Sequence, residues 1–483
     1  MKIFTQTKLF LLTLILSVAF FDSCRNVDPA ATELKTAHAY DSNVYVAWNT
    51  VFMDLDRYAK GYRPGPGPRA LGYLGLAAYE AVVAGIPENR SLKNQFSGLD
   101  IPEIEEGVEY HWPAAVNAVY RYMMPRFFPH METEYANLYQ QIAATNERLH
   151  KQYAEETSSE ILERSERFGQ SVAKAVYGWS TTDLVGHNGF LNPQPTNYTP
   201  PAGPGKWQPT YPDFSRAVFP QWGGTRTFAL RDDEKLCRPP LPYGESDKSL
   251  LYNQALEVFH TVNLIKENGS DPAAYEQRWI AEFWSDDILQ MTFAPPTRLV
   301  AIANQVVEVE KLDLAGSAEL YAKMGMALHD TGAAIWYSKY YYNVERPVSY
   351  IRRVLSRQYQ EAANWTSVLN NLPAKVNGVT PAFPAYPSGH SGFGGAGGKI
   401  LSSFFEFTPH HPGTYSFTDR CHENRSTAEF IGTPRRFASF KEMADENAYS
   451  RIPLGVHFRM DCSEGLRVGE LAAQKVLQMP WKK

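Results

Sequence analysis

The stretch FPAYPSGH at residues 383–390, with SGFGGA at residues 391–396 directly behind it, marks the start of a helix and decides the expected fold of the C-terminal half. Ser388 stands where this helix begins. Its hydroxyl and the free backbone N–H groups behind it can point at one anion, aided by the helix dipole. Gly389 lets the backbone approach closely, and His390 can give or take a proton. An ordinary helix cap with small packing residues explains this segment equally well on its own.

A second segment, KYYYNVERP at residues 339–347, places two cations seven residues apart. On a helix, Lys339 and Arg346 would lie two turns apart on the same face. Two cations held so closely repel each other unless an anion lies between them. Taken alone, the segment is more simply interpreted as two solvated charges on an outer helix face.

A third segment, SRIPLGVHFRMD at residues 450–461, contains a histidine and an aspartate four residues apart. If this turn is helical, Asp461 can accept a hydrogen bond from one imidazole nitrogen of His457 and fix the tautomer. The other nitrogen then keeps a free lone pair, as a metal ligand or a nucleophile requires. A histidine with a purely structural role is the alternative interpretation.

Helical patterning dominates the 483 residues, and alternation of period two is nearly absent. We therefore predict an all-α fold of helical-bundle type. A composition of 44% hydrophobic and 20% charged residues is typical of a globular protein, and the net charge of −5 argues against a nucleic-acid partner. Residues 131–179 are expected to form two helices that meet near residues 157–158. The other predicted helices are 69–84, 248–266, 274–290, 297–311, 316–343 and 391–406.

One segment, residues 192–244, is rich in proline, glycine and aromatic residues and cannot form a long helix. Its aromatic content favours an ordered loop that packs over the helical body. A pocket wall or lid is the functional interpretation of such a long loop, and plain structural packing is the default.

The N-terminus carries an export pattern, with lysines in the first eight residues and an apolar run at residues 9–21. We predict a signal peptide at residues 1–23, a tether at 24–45, a helical region at 46–245 and a catalytic helical region at 246–483. The end of the apolar run resembles a lipobox, which would make Cys24 a lipid anchor on a periplasmic or surface lipoprotein. A plain signal peptide is the alternative. Cys237, Cys421 and Cys462 allow one disulfide at most and lack zinc-site spacing.

Together the three segments read Lys-x6-Arg-Pro, Pro-Ser-Gly-His and Ser-Arg-x5-His-x3-Asp. This pattern resembles the signature of the vanadium haloperoxidase and type 2 phosphatidic acid phosphatase superfamily, and every signature position matches. The layout of the chain is similar to the bacterial secreted haloperoxidase branch. The signature covers residues 339–461, about a quarter of the chain. The resemblance implies an all-helical fold built around bundles, with long loops.

The resemblance also implies a role for each matching residue. His457 would be the apical ligand of vanadium, or the nucleophile of a phosphatase. His390 would be the acid–base residue, and Asp461 would orient His457. The cradle of the vanadate or phosphate oxygens would be Lys339, Arg346, Arg451, Ser388 and Gly389.

Flanking residues favour the peroxidase branch. The run FPAYPSGH followed by FGGA is similar to the fungal chloroperoxidases of this family, in which the position of Phe383 lines the halide pocket. Trp336 matches the other aromatic on the halide side and shares a helix face with Lys339. Ser391 is a candidate for tuning the halide preference, and Asp287 matches the partner of the second arginine. Core packing is the alternative for both aromatics.

The resemblance implies a vanadate cofactor, one per subunit, with neither haem nor flavin. Hydrogen peroxide would oxidise a halide to hypohalous acid, which would halogenate a small organic nucleophile. A secreted acid phosphatase with His457 as nucleophile is the first alternative, and a glycan-binding surface lipoprotein is the second. A membrane-embedded lipid phosphatase is disfavoured, because no second apolar stretch is long enough to cross a bilayer. The halide is left open, and an oligomer is compatible with this sequence.

Overall fold

The computed structural model describes residues 34–268, 271–288, 290–371, 375–427 and 430–483. Residues 35–483 form one compact unit, which contains both predicted helical regions. The predicted signal peptide and Cys24 lie outside the described residues, so export and lipid anchoring stay predictions. The last part of the predicted tether belongs to the packed body, because Ala37, Val44 and Tyr45 are buried there.

The described chain is mainly helical, as predicted, and its strands form two short antiparallel pairs. The α-helices are α1 (Asn43–Tyr58), α2 (Pro66–Glu80), α3 (Trp112–Phe127), α4 (Met131–Glu134), α5 (Ala136–Glu156), α6 (Ser159–Thr181), α7 (Leu184–Asn188), α8 (Leu250–Glu267), α9 (Pro272–Phe283), α10 (Pro295–Glu310), α11 (Leu314–Tyr342), α12 (Pro347–Arg353), α13 (Gly389–Phe405), α14 (Phe440–Tyr449) and α15 (Arg459–Leu477). The strands are β1 (Asn370–Asn371), β2 (Val376–Asn377), β3 (Phe417–Asp419) and β4 (Arg435–Phe437). No helix in the described part combines the length and apolar character needed to cross a membrane.

The predicted helices are present, with shifted ends. The break inside residues 131–179 lies where it was expected, because the Ser158 hydroxyl caps α6 by accepting from the N–H of Ile161. Helix α9 ends at Phe283, seven residues before the predicted end, and the chain turns there toward the functional site. The helices that were not predicted are α1, α3, α7, α12, α14 and α15.

Helix α11 is the centre of the fold and is buried along most of its 29 residues. It packs against α2 on one side and against α13 and α15 on the other. Glycines permit these close approaches: a Cβ at Gly325 would lie 2.4 Å from the carbonyl oxygen of Leu71. At the crossing of α13 and α15, a Cβ at Gly469 would lie 1.9 Å from the carbonyl oxygen of Gly392. One helix therefore joins the N-terminal helices to the helices that carry the signature.

Lys339 and Arg346 do not share one helix, so the two-turn spacing considered for them does not apply. Helix α11 ends at Tyr342, and Asn343 follows in the left-handed conformation with φ 53°, which asparagine tolerates better than most residues. Arg346 is extended and caps α12, because Pro347 disfavours a helical conformation in the residue before it. The two cations are thus brought together by a turn between helices.

The loop at residues 192–244 is ordered and contains the two short 3-10 turns Trp222–Gly224 and Asp232–Glu234. Asp330 on α11 holds it, because its carboxylate accepts from the backbone N–H groups of Phe228, Ala229 and Leu230 at 2.7 to 3.0 Å. The predicted packing over the helical body is therefore correct. The three described cysteines carry free thiols.

Candidate active site

The first and second signature segments meet in the interior. Lys339, fully buried, donates from Nζ to the carbonyl oxygens of Pro384 and Ala385 at 2.7 and 2.8 Å. Arg346, also fully buried, donates from Nε to the carbonyl oxygen of Phe383 at 2.8 Å. The two cations therefore hold the segment that leads into α13.

The third segment joins them through two contacts. Arg346 donates from Nη1 to the carbonyl oxygen of Val456 at 2.9 Å and lies 3.0 Å from Nε2 of His457. The backbone N–H of Ser388 donates to the carbonyl oxygen of Asp461 at 2.9 Å. Residues more than a hundred positions apart thus enclose one small buried region.

His457 lies two residues before α15, and Asp461 lies in the first turn of that helix. The pair is therefore not on one helical turn, yet it forms the expected contact: Nδ1 of His457 lies 3.0 Å from Oδ2 of Asp461. The N–H of Phe458 donates to the same oxygen at 3.0 Å. Because Asp461 accepts from Nδ1, the lone pair of His457 is on Nε2.

Burial and the neighbouring charges of Arg346, Lys339 and Arg451 hold the pKa of His457 well below its usual range. Burial also lowers the pKa of Lys339, and the charge of Arg346 adds to this effect. Burial raises the pKa of Asp461. Burial and the neighbouring basic groups therefore keep the imidazole of His457 neutral.

Ser388 caps α13, as predicted. Its Oγ accepts from the N–H of Ser391 at 3.3 Å and from the Ser391 hydroxyl at 2.8 Å. Both acceptor positions are thereby used, so the O–H of Ser388 is left to donate to another group. Gly389 packs on Trp336, because a Cβ there would lie 3.1 Å from the indole ring.

Arg451 forms an ion pair with Asp287, as the flanking resemblance predicted. Its Nη1 also donates to the carbonyl oxygen of Trp284 at 3.0 Å. Asp287 is partly exposed, whereas Arg451 is 1% exposed. The carboxylate therefore fixes the guanidinium from the solvent side.

Several buried polar atoms in this region lack a hydrogen-bond partner within the described chain. The donors among them are Nη2 of Arg346, Nε of Arg451 and Nδ1 of His390, and the acceptors include Oδ1 of Asp461, Oδ1 of Asn447 and both carboxyl oxygens of Asp286. Unpaired donors on two guanidinium groups and an imidazole are costly unless an acceptor joins them. A tetrahedral or five-coordinate oxyanion such as vanadate or phosphate fits this donor set.

Known proteins resemble this chain in the sequence of its signature region and in its fold. The family model described as the VCPO second helical-bundle domain matches residues 319–481, which contain all three signature segments. A solved bacterial vanadium-dependent iodoperoxidase shares 26% identity with a TM-score of 0.73, covering 90% of this chain and 95% of that one. Residues 319–481 thus match the vanadium haloperoxidase superfamily, and the fold of the chain is similar to that of a solved vanadium-dependent iodoperoxidase.

Two further structures share the haloperoxidase fold. The holo form of a bacterial vanadium-dependent chloroperoxidase has 17% identity and a TM-score of 0.58, covering 88% of this chain and 95% of that one. Its apo form has 17% identity and a TM-score of 0.57, covering 87% and 96%. No curated protein sequence matches the chain significantly.

In this haloperoxidase-like site, the predicted acid–base residue has neighbours that sequence reasoning missed. His390 is 5% exposed, and burial with the charges of Arg451 and Arg298 lowers its pKa well below the usual range. Its Nε2 lies 3.0 Å from Nδ2 of Asn447 and 3.7 Å from Oδ2 of Asp286. Asp286 directly precedes Asp287, the residue that the flanking resemblance predicted as the partner of the second arginine. Asn447 had no sequence signal, because its helix α14 was not predicted.

A cleft of about 370 Å³ opens beside the site. Phe383, Asp286 and Asp287 lie in its wall, together with Pro193 and Val218 of the loop at residues 192–244. The long loop therefore does form a pocket wall, in addition to packing on the body.

The aromatic pair predicted on the halide side is present next to the cleft. The rings of Trp336 and Phe383 are 5.0 Å apart, and Nζ of Lys339 lies 5.0 Å from the Phe383 ring centroid. The indole of Trp336 donates to the carbonyl oxygen of Val218 at 3.3 Å, which fixes the ring. The site thus has an aromatic side next to its cationic side.

Proposed function

We propose that this chain is a vanadate-dependent haloperoxidase that oxidises a halide with hydrogen peroxide to hypohalous acid. The observation that carries the proposal is the neutral His457, whose Nε2 lone pair faces the guanidinium of Arg346 inside a cluster of buried cations. An imidazole in this state can bind the central atom of an oxyanion whose oxygens the surrounding donors hold.

Each group of the cradle has a task in this proposal. Lys339, Arg346 and Arg451 neutralise the charge of the oxyanion, and the free O–H of Ser388 donates to one of its oxygens. When bound, vanadate would supply a Lewis acid that activates hydrogen peroxide toward the halide. Asp461 keeps the proton of His457 on Nδ1, so that Nε2 stays available.

Two further residue groups support the peroxidase chemistry. His390 is a neutral buried imidazole that can move a proton at the oxyanion site. The rings of Trp336 and Phe383 form an apolar surface beside Lys339, on which a weakly hydrated halide can rest. The cleft beside them would admit hydrogen peroxide, halide and a small organic nucleophile.

We propose iodide as the first halide substrate, supported by the 26% identity to a bacterial iodoperoxidase. The test is halogenation of a dye by purified protein with hydrogen peroxide and iodide, bromide or chloride, each with and without vanadate. His457→Ala should abolish the activity. His410→Ala, which removes an exposed histidine, is the matched control and should retain it.

Halogenation that does not require vanadate would contradict the proposal. Turnover of phosphate esters without halogenation would instead favour the acid phosphatase, with His457 as the nucleophile, because the same donor set fits phosphate. If the folded protein shows neither activity, the glycan-binding alternative gains support.

A further inference from the structure

The side-chain amide of Asn447 contacts Nε2 of His390. Nδ2 of Asn447, on α14, lies 3.0 Å from Nε2 of His390, and Asn447 is 1% exposed. An amide N–H can only donate, so Nε2 of His390 is the acceptor. A neutral imidazole carries one proton, which is then on Nδ1. That atom is buried without a partner in the described chain and can donate to an oxyanion.

A glycine makes this contact possible. Gly394 lies four residues after His390 on α13 and therefore on the same helix face. A Cβ at position 394 would lie 2.3 Å from Oδ1 and 2.8 Å from Cγ of Asn447. Any side chain at position 394 would push the amide away from His390. The contact with Asn447 thus explains why one residue of the glycine-rich run behind the PSGH segment, Gly394, has no side chain.

We propose that Asn447 is a positioning residue that fixes the Nδ1–H tautomer of His390, and that Gly394 provides the space this requires. The inference rests on the proposed function for the importance of His390, but its geometry is independent of any reaction. With the proton fixed on Nδ1, His390 would present a donor to the oxyanion site and would keep one ring orientation.

Among the described residues, a carboxyl group also lies near Nε2 of His390. Oδ2 of Asp286 lies 3.7 Å from Nε2 of His390, beyond hydrogen-bond distance. An ionised carboxylate there would draw the proton toward Nε2. Burial raises the pKa of Asp286 to about 7, so at mildly acidic pH the neutral carboxyl exerts little such attraction. The positive charges of Arg451 and Arg298 disfavour the doubly protonated form of the His390 imidazole.

The test is the tautomer of His390 in vanadate-free protein. Two-bond ¹H–¹⁵N spectra of ¹⁵N-histidine-labelled protein at mildly acidic pH distinguish Nδ1–H from Nε2–H, and His390→Gln assigns the signals. We expect Nδ1–H in the wild type and a shift toward Nε2–H or exchange in Asn447→Ala. Asn117→Ala removes another fully buried asparagine and should leave the His390 signals unchanged. An Nε2–H signal in the wild type, or an unchanged tautomer in Asn447→Ala, would overturn the proposal.

A double-mutant cycle provides the second measurement. Gly394→Ala alone should disturb the His390 tautomer as Asn447→Ala does, because the new methyl displaces the amide. In the Asn447→Ala background, Gly394→Ala should have almost no further effect, since the methyl fills vacated space. If the two effects simply add, the link between the two residues is absent.

The activity readout is secondary and separates the two proposals. If the protein is a haloperoxidase, Asn447→Ala should lower kcat on the order of 10- to 100-fold, while KM for halide changes little. If the protein lacks haloperoxidase activity, the tautomer measurement and the cycle still decide the role of Asn447. Activity at the wild-type level in a variant whose tautomer has shifted would overturn the functional part of the inference.

Discussion

Nη1 of Arg346 lies 3.0 Å from Nε2 of His457, so a guanidinium N–H donates to the lone pair that the proposed function assigns to vanadium. Nη2 of the same arginine is buried and has no hydrogen-bond partner among the described residues. Binding of an oxyanion through Nε2 therefore requires that this hydrogen bond open and that Arg346 donate to the oxyanion instead. The hydrogen bond between Arg346 and His457 therefore fixes both side chains until an oxyanion replaces it.

His457→Ala should abolish vanadate retention, because it removes the only atom in the proposed site assigned to the central atom. In the wild type, vanadate at a hundred times its Kd should stabilise the fold by about 2.7 kcal/mol, measured by thermal unfolding at constant ionic strength. The variant should show little of this shift, and His410→Ala should show all of it. Equal stabilisation of wild type and His457→Ala would remove the central assignment.

The contact between His457 and Asp461 predicts two different outcomes for two substitutions. Asp461→Ala deletes the acceptor of Nδ1 and should weaken vanadate binding on the order of 10- to 100-fold. Asp461→Asn can keep an oxygen at the same place and should cost less, because only the charge is lost. Equilibrium dialysis with vanadate measures both. The assigned role fails if the alanine variant binds vanadate like the wild type, or if the asparagine variant is the weaker of the two.

The hydroxyl of Ser391 donates to Oγ of Ser388 and so directs the Ser388 O–H away from it. Ser391→Ala frees that hydroxyl to rotate and should lower vanadate affinity by about 1 kcal/mol, or roughly fivefold. Ser388→Ala should cost more, because it removes a hydrogen bond to a charged group. Ser403→Ala, on an exposed part of the same helix, is the control for helix stability. A wild-type affinity in Ser391→Ala would show that Ser388 needs no such orientation.

The sequence predicted much of this architecture because two strong signals were present. Apolar periodicity located most of the long helices, and the break between α5 and α6 lies near residues 157–158, where it was expected. The signature residues could be placed together because their chemistry requires a common ligand. That requirement holds whatever backbone connects Lys339, Arg346 and His457.

The failures have local physical causes. The spacing of Lys339 and Arg346 did not reveal how the two residues meet, because Asn343 and Pro347 impose a turn whose conformation depends on single residues. Asn447 could not be found, since its contact with His390 joins two helices through side chains 57 positions apart. A contact between two single side chains produces no periodic pattern in the sequence from which it could be predicted.

The two carboxyl oxygens of Asp286 lie 3.7 Å from Nε2 of His390 and 3.6 Å from Nε2 of His422, and neither has a hydrogen-bond partner in the described part of the chain. Burial raises its pKa from the ordinary 3.8 to about 7. Between these values the folded chain binds more protons than the unfolded chain. The free energy of unfolding of the wild type therefore falls as pH rises through this window, by at most about 1.4 kcal/mol per pH unit from this group.

Asp286→Asn removes the titrating group and keeps the shape. The variant should become more stable relative to the wild type as pH rises from about 4 to about 7, and the difference should be constant above that range. Urea unfolding of vanadate-free protein at several pH values measures it. Asp100→Asn changes an exposed aspartate and should show no such trend. A difference between Asp286→Asn and wild type that is independent of pH would mean that Asp286 titrates alike in the folded and unfolded chains, and that its burial is offset by a partner.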